Sequence, residues 1–190
     1  MEKLKVYDEQ YNYVCEESRD VIHAKGLWHE TFHCWLVDGD EVLIQKRSAA
    51  KKDFPGLFDI TAAGHLFSDE NVMDGLREVE EELGLSVDET KLQWMGVVRD
   101  VIELPDFIDR EFTNVFLYSS SFNPADFSLQ EEEVASIHAV SITDLQALFR
   151  RTARTVQVRN IENDLFETIE LHDFVPHETS YLEAVASYFG

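Results

Sequence analysis

The sequence predicts an α+β protein, a mixed sheet packed between helices as an αβα sandwich in a single domain. Two observations lead there. Short apolar runs bounded by turn residues recur along the whole chain, and two or three longer segments carry helical periodicity instead. The 190 residues, 44% hydrophobic and 12% aromatic, suffice for a sizeable core. Gly and Pro number only 8 and 4, so no stretch reads as a linker, and no repeat is visible.

Residues 3–7 and 12–22 read as short strands. Residues 28–37 and 41–46 flank Asp38-Gly39-Asp40, a hairpin signal between two apolar runs. After Pro55-Gly56, residues 58–63 read as a further strand. Over 70–83 the apolar residues Val72, Leu76, Val79 and Leu83 recur at helical steps and form one stripe, and Gly84 stands where a left-handed residue ends a helix. Gly75 lies inside this helix at a cost of about 1 kcal/mol relative to Ala, which implies close packing against a neighbour. Residues 92–102, 111–118 and 134–140 read as strands and 142–151 as a helix. Residues 155–159 and 165–171 form an alternating pair, and 178–189 a final amphipathic helix. Trp28, Phe32 and Trp35 are expected in the core.

Lys and Arg total 16 against 38 Asp and Glu, a net charge of −22. Such an acid excess argues against a sequence-independent grip on nucleic acid and against anionic membrane surfaces, both of which need a basic face. No segment approaches the roughly 20 apolar residues of a membrane span, and the amino terminus carries no secretory signal pattern. Cys15 and Cys34 are too few for a disulfide framework and fit a reducing, cytoplasmic setting.

The informative stretch runs from Gly64-His65 through Glu70 to Arg77-Glu78-Val79-Glu80-Glu81-Glu82-Leu83-Gly84-Leu85. On a helix Glu78, Glu81 and Glu82 are related by three and four residues, so their carboxylates share the face opposite the apolar stripe. Like charges that close repel unless a cation sits among them, and oxygen ligands without Cys select Mg2+ or Mn2+. Glu131-Glu132-Glu133 is a triple without the flanking pattern and reads as a solvated run. Residues 46–52 hold Lys46, Arg47, Lys51 and Lys52 with no acid, a basic island suited to phosphate oxygens. Arg150, Arg151, Arg154 and Arg159 form a second basic stretch, which begins where a helix dipole favours cations.

The pattern Arg-Glu-apolar-x-Glu-Glu-x-Gly-apolar resembles the second half of the Nudix hydrolase signature at every specified position. In the first half the five-residue gap from Gly64 reaches Glu70, but six residues rather than seven separate Glu70 from Arg77. Either the loop is one residue shorter or Asp69 replaces the first acid. The resemblance implies hydrolysis of a diphosphate linkage, with Glu78, Glu81 and Glu82 as metal ligands and the Gly64 carbonyl as a further one. Arg77 would orient Glu81, and Glu111 or one of the box acids would accept the proton of the attacking water.

The likeness covers roughly residues 5–150 and is similar to the isopentenyl-diphosphate isomerase-like branch of that superfamily. It rests on Arg19, His23, Gly26-Leu27-Trp28-His29, Gln45-Lys46-Arg47-Ser48, Lys51, Pro55-Gly56-Leu57-Phe58-Asp59 and Ala63-Gly64-His65. In that branch the positions of Arg19, Arg47 and Lys51 grip the diphosphate. His23, His29, His65 and the pair Asp109/Glu111 fall where the isomerases bind a second metal, with Asp109 in place of a Glu. His33 shares the strand face of His29 but has no matching role. Isomerases carry a catalytic Cys where this chain has Ala63, and they lack the full acid set, so the residues favour hydrolysis over alkene isomerisation. A non-catalytic nucleotide-sensing module is the other alternative. The expected partner is a small diphosphate compound, with a Nudix domain over 1–151. The extension, 152–190, would pack on that domain, capping the substrate site or building a homodimer interface.

Overall fold

A computed structural model describes residues 2–105 and 107–189; residues 1, 106 and 190 lie outside the description. β1 (Lys3–Tyr7) and β2 (Tyr13–Ser18) form an antiparallel hairpin, and the chain then turns into α1 (Arg19–Lys25). The strand expected over 12–22 therefore stops at Ser18. Ser18 is extended at the cap position and Gly26 closes the helix in the left-handed region at φ 60°. The helix buries only Ile22, against Leu4 and Val6, so it shows no apolar period to read in sequence.

β3 (Trp28–Asp38) is the central strand. It pairs antiparallel with β4 (Glu41–Arg47) through the Asp38–Glu41 hairpin and with β6 (Ala62–His65) further back. Its other edge runs parallel to β8 (Phe107–Ser119) from Trp28/Arg110 to Val37/Ser119, which makes the sheet mixed. β7 (Leu92–Leu104) borders β8, and β9 (Val134–Ser141) borders β4. The strand expected over 58–63 divides into β5 (Phe58–Asp59), on β4, and β6, on β3. Thr61 holds the crossing: its hydroxyl donates to the Leu43 carbonyl and accepts the Leu36 N–H at 3.0 Å.

The segment expected as one helix over 70–83 is a 3-10 turn, Val72–Leu76, continued by α2 (Arg77–Leu83). Asn71 and Asp74 cap the turn reciprocally. A Cβ on Gly75 would stand 2.5 Å from Phe32 Cβ, which explains the glycine. Gly84 ends α2 at φ 69°.

Alternation along β3 divides the layers. Phe32, Cys34 and Leu36 pack beneath Val79 and Leu83 of α2. Trp35 and Val37 face the opposite way, into a core completed by α3 (Ile142–Phe149) and α4 (Thr179–Tyr188). Burial of each such side chain contributes about 1.5–3 kcal/mol. The result is the expected αβα sandwich. The carboxy-terminal segment is integral to it: β10 (Thr155–Asn160) and β11 (Phe166–Glu170) extend the sheet beyond β9, and Tyr181, Leu182, Val185 and Ala186 of α4 are core residues. Towards the start of β3 the same face turns polar, at His29, Thr31 and His33, and a cavity opens above it.

Candidate active site

The cavity holds about 920 Å3, within the range of small-molecule sites. Its floor is the sheet face carrying Thr31 and His33 of β3, Asp100 of β7, and Asp109 and Glu111 of β8. Its walls are α1, the loop from Arg47 to Phe54, β6, and the segment holding Val175 and His177.

At one end His23, His29, His65 and Asp109 converge, one ligand-type atom from each lying within 4.8 Å of the others. Asp109 Oδ1 is 3.4 Å from His23 Nε2 and 3.3 Å from His29 Nε2. These three atoms and His65 Nε2 are buried without a hydrogen-bond partner. Four orphaned lone-pair groups aimed at one another are costly unless something binds between them. His29 Nδ1 lies 3.1 Å from the Leu27 carbonyl, an arrangement that places the proton on Nδ1 and leaves Nε2 as a donor atom. Burial pushes His29 and His65 towards the neutral form, whereas Asp109 is held below the carboxylate range despite burial, first of all by His23.

The box acids lie against β6. Glu82 is 4% exposed and accepts from Gln45 Nε2 at 3.1 Å and from the Ala63 N–H at 3.4 Å. Glu78 lies so close to Gly64 that a Cβ there would be 2.1 Å from its carboxyl carbon. Burial raises Glu78 to about 7 and Glu82 to about 8, and their mutual repulsion adds to the rise in Glu82. Glu81 differs from them in exposure: its side chain is 57% exposed, and it shares Arg77 Nη1 with Glu78. Arg77 serves others before Glu81. It holds Glu70 and Glu78 at 2.6 Å each and the His65 carbonyl at 2.9 Å, with Glu81 at 3.3 Å. Glu70 also accepts the Phe67 N–H at 2.7 Å, so Glu70 rather than Asp69 is the first acid of the box, and it orders the turn before α2.

Of the expected phosphate-binding cations, Arg19, Arg47 and Lys51 all line the cavity. Arg47, however, is committed internally: to Asp59 at 2.7 Å and to the carbonyls of Asp53 and Phe54 at 3.0 and 3.2 Å. Lys51 pairs with Glu133 and draws Glu82 towards ionisation. The run at 131–133 is solvated as expected at Glu131 and Glu132, which are exposed, while Glu132 and Glu133 also border the cavity. Glu111 accepts the hydroxyls of Thr31 and Thr113 at 3.1 and 3.2 Å, and burial together with Asp109 and Asp100 raises it well above its ordinary value. Phe32 and Trp35 are core, as expected.

His177 and Asp100 were not expected here. His177 has no neighbouring motif to mark it, whereas Asp100 was detectable as a lone acid within Val97-Val98-Arg99-Asp100-Val101-Ile102. His33, without a role in the sequence reading, lies 2.7 Å from the Tyr181 hydroxyl of α4.

Comparison with known proteins agrees with this architecture. The NUDIX domain family model matches residues 27–159. An uncharacterized Nudix hydrolase of Clostridium acetobutylicum is 33% identical over 195 aligned positions, covering 97% of this chain and 95% of that protein. A crystal structure from Deinococcus radiodurans superposes with a TM-score of 0.60 at 19% identity over 79% of this chain and 90% of that one. A MutT protein structure from Methanosarcina mazei gives 0.52 at 21% over 63% and 81%. Those structures share the fold. A family match over most of the chain, and a relative aligned nearly end to end, make the protein a member of the Nudix family and a hydrolase.

Proposed function

We propose that this Nudix hydrolase cleaves the diphosphate linkage of a small molecule, a nucleoside diphosphate derivative or a related diphosphate, with Mg2+ or Mn2+ as its cation. Glu78, Glu81, Glu82 and the Gly64 carbonyl would hold that cation. The observation that carries the reading is the pair Glu78 and Glu82, two largely buried carboxyls beside a glycine that leaves room for one of them. Both stay raised by burial, to about 7 and 8, even with Arg77 beside Glu78 and Lys51 acting on Glu82, so a bound divalent cation would favour ionising them together. Bound divalent ions polarise a phosphoryl oxygen and acidify a coordinated water.

The protein's own groups supply the rest. Arg19 and Lys51 neutralise diphosphate oxygens at the cavity wall, and Arg47 orders the loop that carries Lys51. Glu111, on the cavity floor and held above the ordinary carboxylate range by burial, Asp109 and Asp100, would accept the proton of the attacking water. Arg77 ties the box helix to Glu70 and to the His65 carbonyl, so the box and the cavity wall formed by β6 keep one register.

The cluster of His23, His29, His65 and Asp109 is a second candidate cation site, and its imidazole-rich donor set suits Mn2+, Fe2+ or Zn2+ better than Mg2+. It supports kinship with the isopentenyl-diphosphate isomerase-like branch. Ala63 lines the cavity with a methyl group where that branch needs a thiol, so hydrolysis remains the assigned reaction.

Incubation with nucleoside diphosphate sugars, dinucleotides, nucleoside triphosphates and prenyl diphosphates, with Mg2+ or Mn2+, should release phosphate or a monophosphate from at least one class. Isopentenyl diphosphate should yield no allylic isomer by proton NMR. Isomerisation without phosphorus–oxygen cleavage would overturn the assignment.

A further inference from the structure

We propose that His177, in the segment leading into α4, is a positioning residue for the loop carrying Lys51 and Lys52, acting through Asp59 and Arg47; as a phosphate-binding role it rests on the reading of that loop given above.

The relay is continuous. His177 Nδ1 lies 2.5 Å from Asp100 Oδ2, and Nε2 lies 3.0 Å from Asp59 Oδ1. The second oxygen of Asp59 binds Arg47 Nη1 at 2.7 Å, and the remaining Arg47 nitrogens hold the carbonyls of Asp53 and Phe54. Asp59 and Asp100 are both buried, at 4% and 2% exposure. A ring with a carboxylate on each nitrogen carries both protons, and burial alone would oppose that charge. The two carboxylates outweigh burial and raise His177 to about 10. Asp59 in turn stays ionised, held well below the usual carboxylate range despite burial by His177 and Arg47.

The loop needs this hold. Phe54 adopts φ 52°, a left-handed conformation that a bulky side chain disfavours, and Arg47 grips that residue's own carbonyl. Remove the imidazolium, and of the two buried carboxyls Asp59 keeps the Arg47 guanidinium while Asp100 keeps only the Glu178 N–H. One must take up a proton, and the ionised anchor of Arg47 weakens. His177 is itself fixed from behind: Val175 N–H donates to the Phe58 carbonyl at 2.9 Å, and Glu178 N–H to Asp100 Oδ1 at 2.8 Å. The carboxy-terminal segment thus reaches the loop of the cavity wall and controls it through charge.

The test compares wild type with His177→Gln, which keeps polarity without charge, and His177→Lys, which restores only the charge. Amide hydrogen exchange over residues 48–54 should quicken by about tenfold in H177Q while β3 and β8 keep their protection, and H177K should recover most of the slow exchange. Binding of methylenediphosphonate with Mg2+, followed by calorimetry, should weaken about tenfold in H177Q and recover in H177K. Unchanged loop exchange in H177Q, or exchange that rises equally in all strands, would overturn the relay. If the loop loosens while diphosphonate affinity stays at the wild-type value, the relay stands and the loop's phosphate-binding role is what fails.

Discussion

Glu78 and Gly64 meet so closely that neither can be understood alone. The carboxyl occupies the volume a Cβ at position 64 would need, 2.1 Å away, so the glycine here is a matter of space rather than of backbone angle. Gly64→Ala should displace Glu78 from beside β6 and lower kcat by roughly 100-fold or more, about 3 kcal/mol, with circular dichroism unchanged. Wild-type turnover in that variant would show that Glu78 is not needed where it stands. The acids of this pair were legible in sequence because helical spacing is a strong constraint and the pattern around Arg77 is long. Their inequality was not. Spacing puts Glu81 on the same face, but only the packing of α2 against β6 decides that Glu82 goes under and Glu81 stays in water. His177 was illegible for the opposite reason: its partners, Asp59 and Asp100, lie 118 and 77 residues away, and no local pattern encodes such a meeting.

At the scale of elements, β3 does most of the organising. One strand supplies the core of both layers and, at Thr31 and His33, the polar floor of the cavity. Its period was readable, as were the hairpin at Gly39 and the stop at Gly84. α1 escaped, because a helix that buries a single residue carries no stripe. The 3-10 turn at Val72–Leu76 was merged with α2, because both continue one apolar face; the difference is forced by Gly75 lying against Phe32. Gly75→Ala should therefore destabilise the fold by about 1–3 kcal/mol through overpacking, despite the better helix propensity of Ala. Chemical denaturation would read this, and kcat per folded molecule should not change. A gain in stability would mean that the turn has room which its contact with Phe32 denies.

For the whole molecule, the charge of −22 argues against polymers that need a broad basic face, yet it leaves a small diphosphate open as a partner. Part of that excess is not solvated surface: Glu78, Glu82, Asp59, Asp100 and Asp109 are buried or nearly so, and each answers to a cation or a candidate cation site. No helix among the described residues is long and apolar enough to cross a membrane. The carboxy-terminal segment, expected as a packed extension, belongs to the sheet and core, and it links global stability to pH through His177. That ring is faced by Asp59 from β5, Asp100 from β7, His33 from β3 and Tyr181 from α4, with Arg47 beyond Asp59. Its value rises on folding from about 6.5 to about 10, so its stabilisation is complete below pH 6.5 and fades as pH rises towards 10. The difference in melting temperature between wild type and H177Q should accordingly be largest near pH 6 and shrink by pH 10. A difference that grows with pH would contradict a charged His177.

In the proposed reaction, water attacks phosphorus in a diphosphate bridge under control of the acids beside Gly64. The most direct measurement is mass spectrometry of products formed in 18O-labelled water, from the diphosphate compound turned over best, by wild type and by Glu82→Gln. The expected result is one 18O on a phosphate product for wild type and a roughly 1000-fold slower reaction, about 4 kcal/mol, for the folded variant. Label on carbon rather than phosphorus, or full activity in Glu82→Gln, would contradict it.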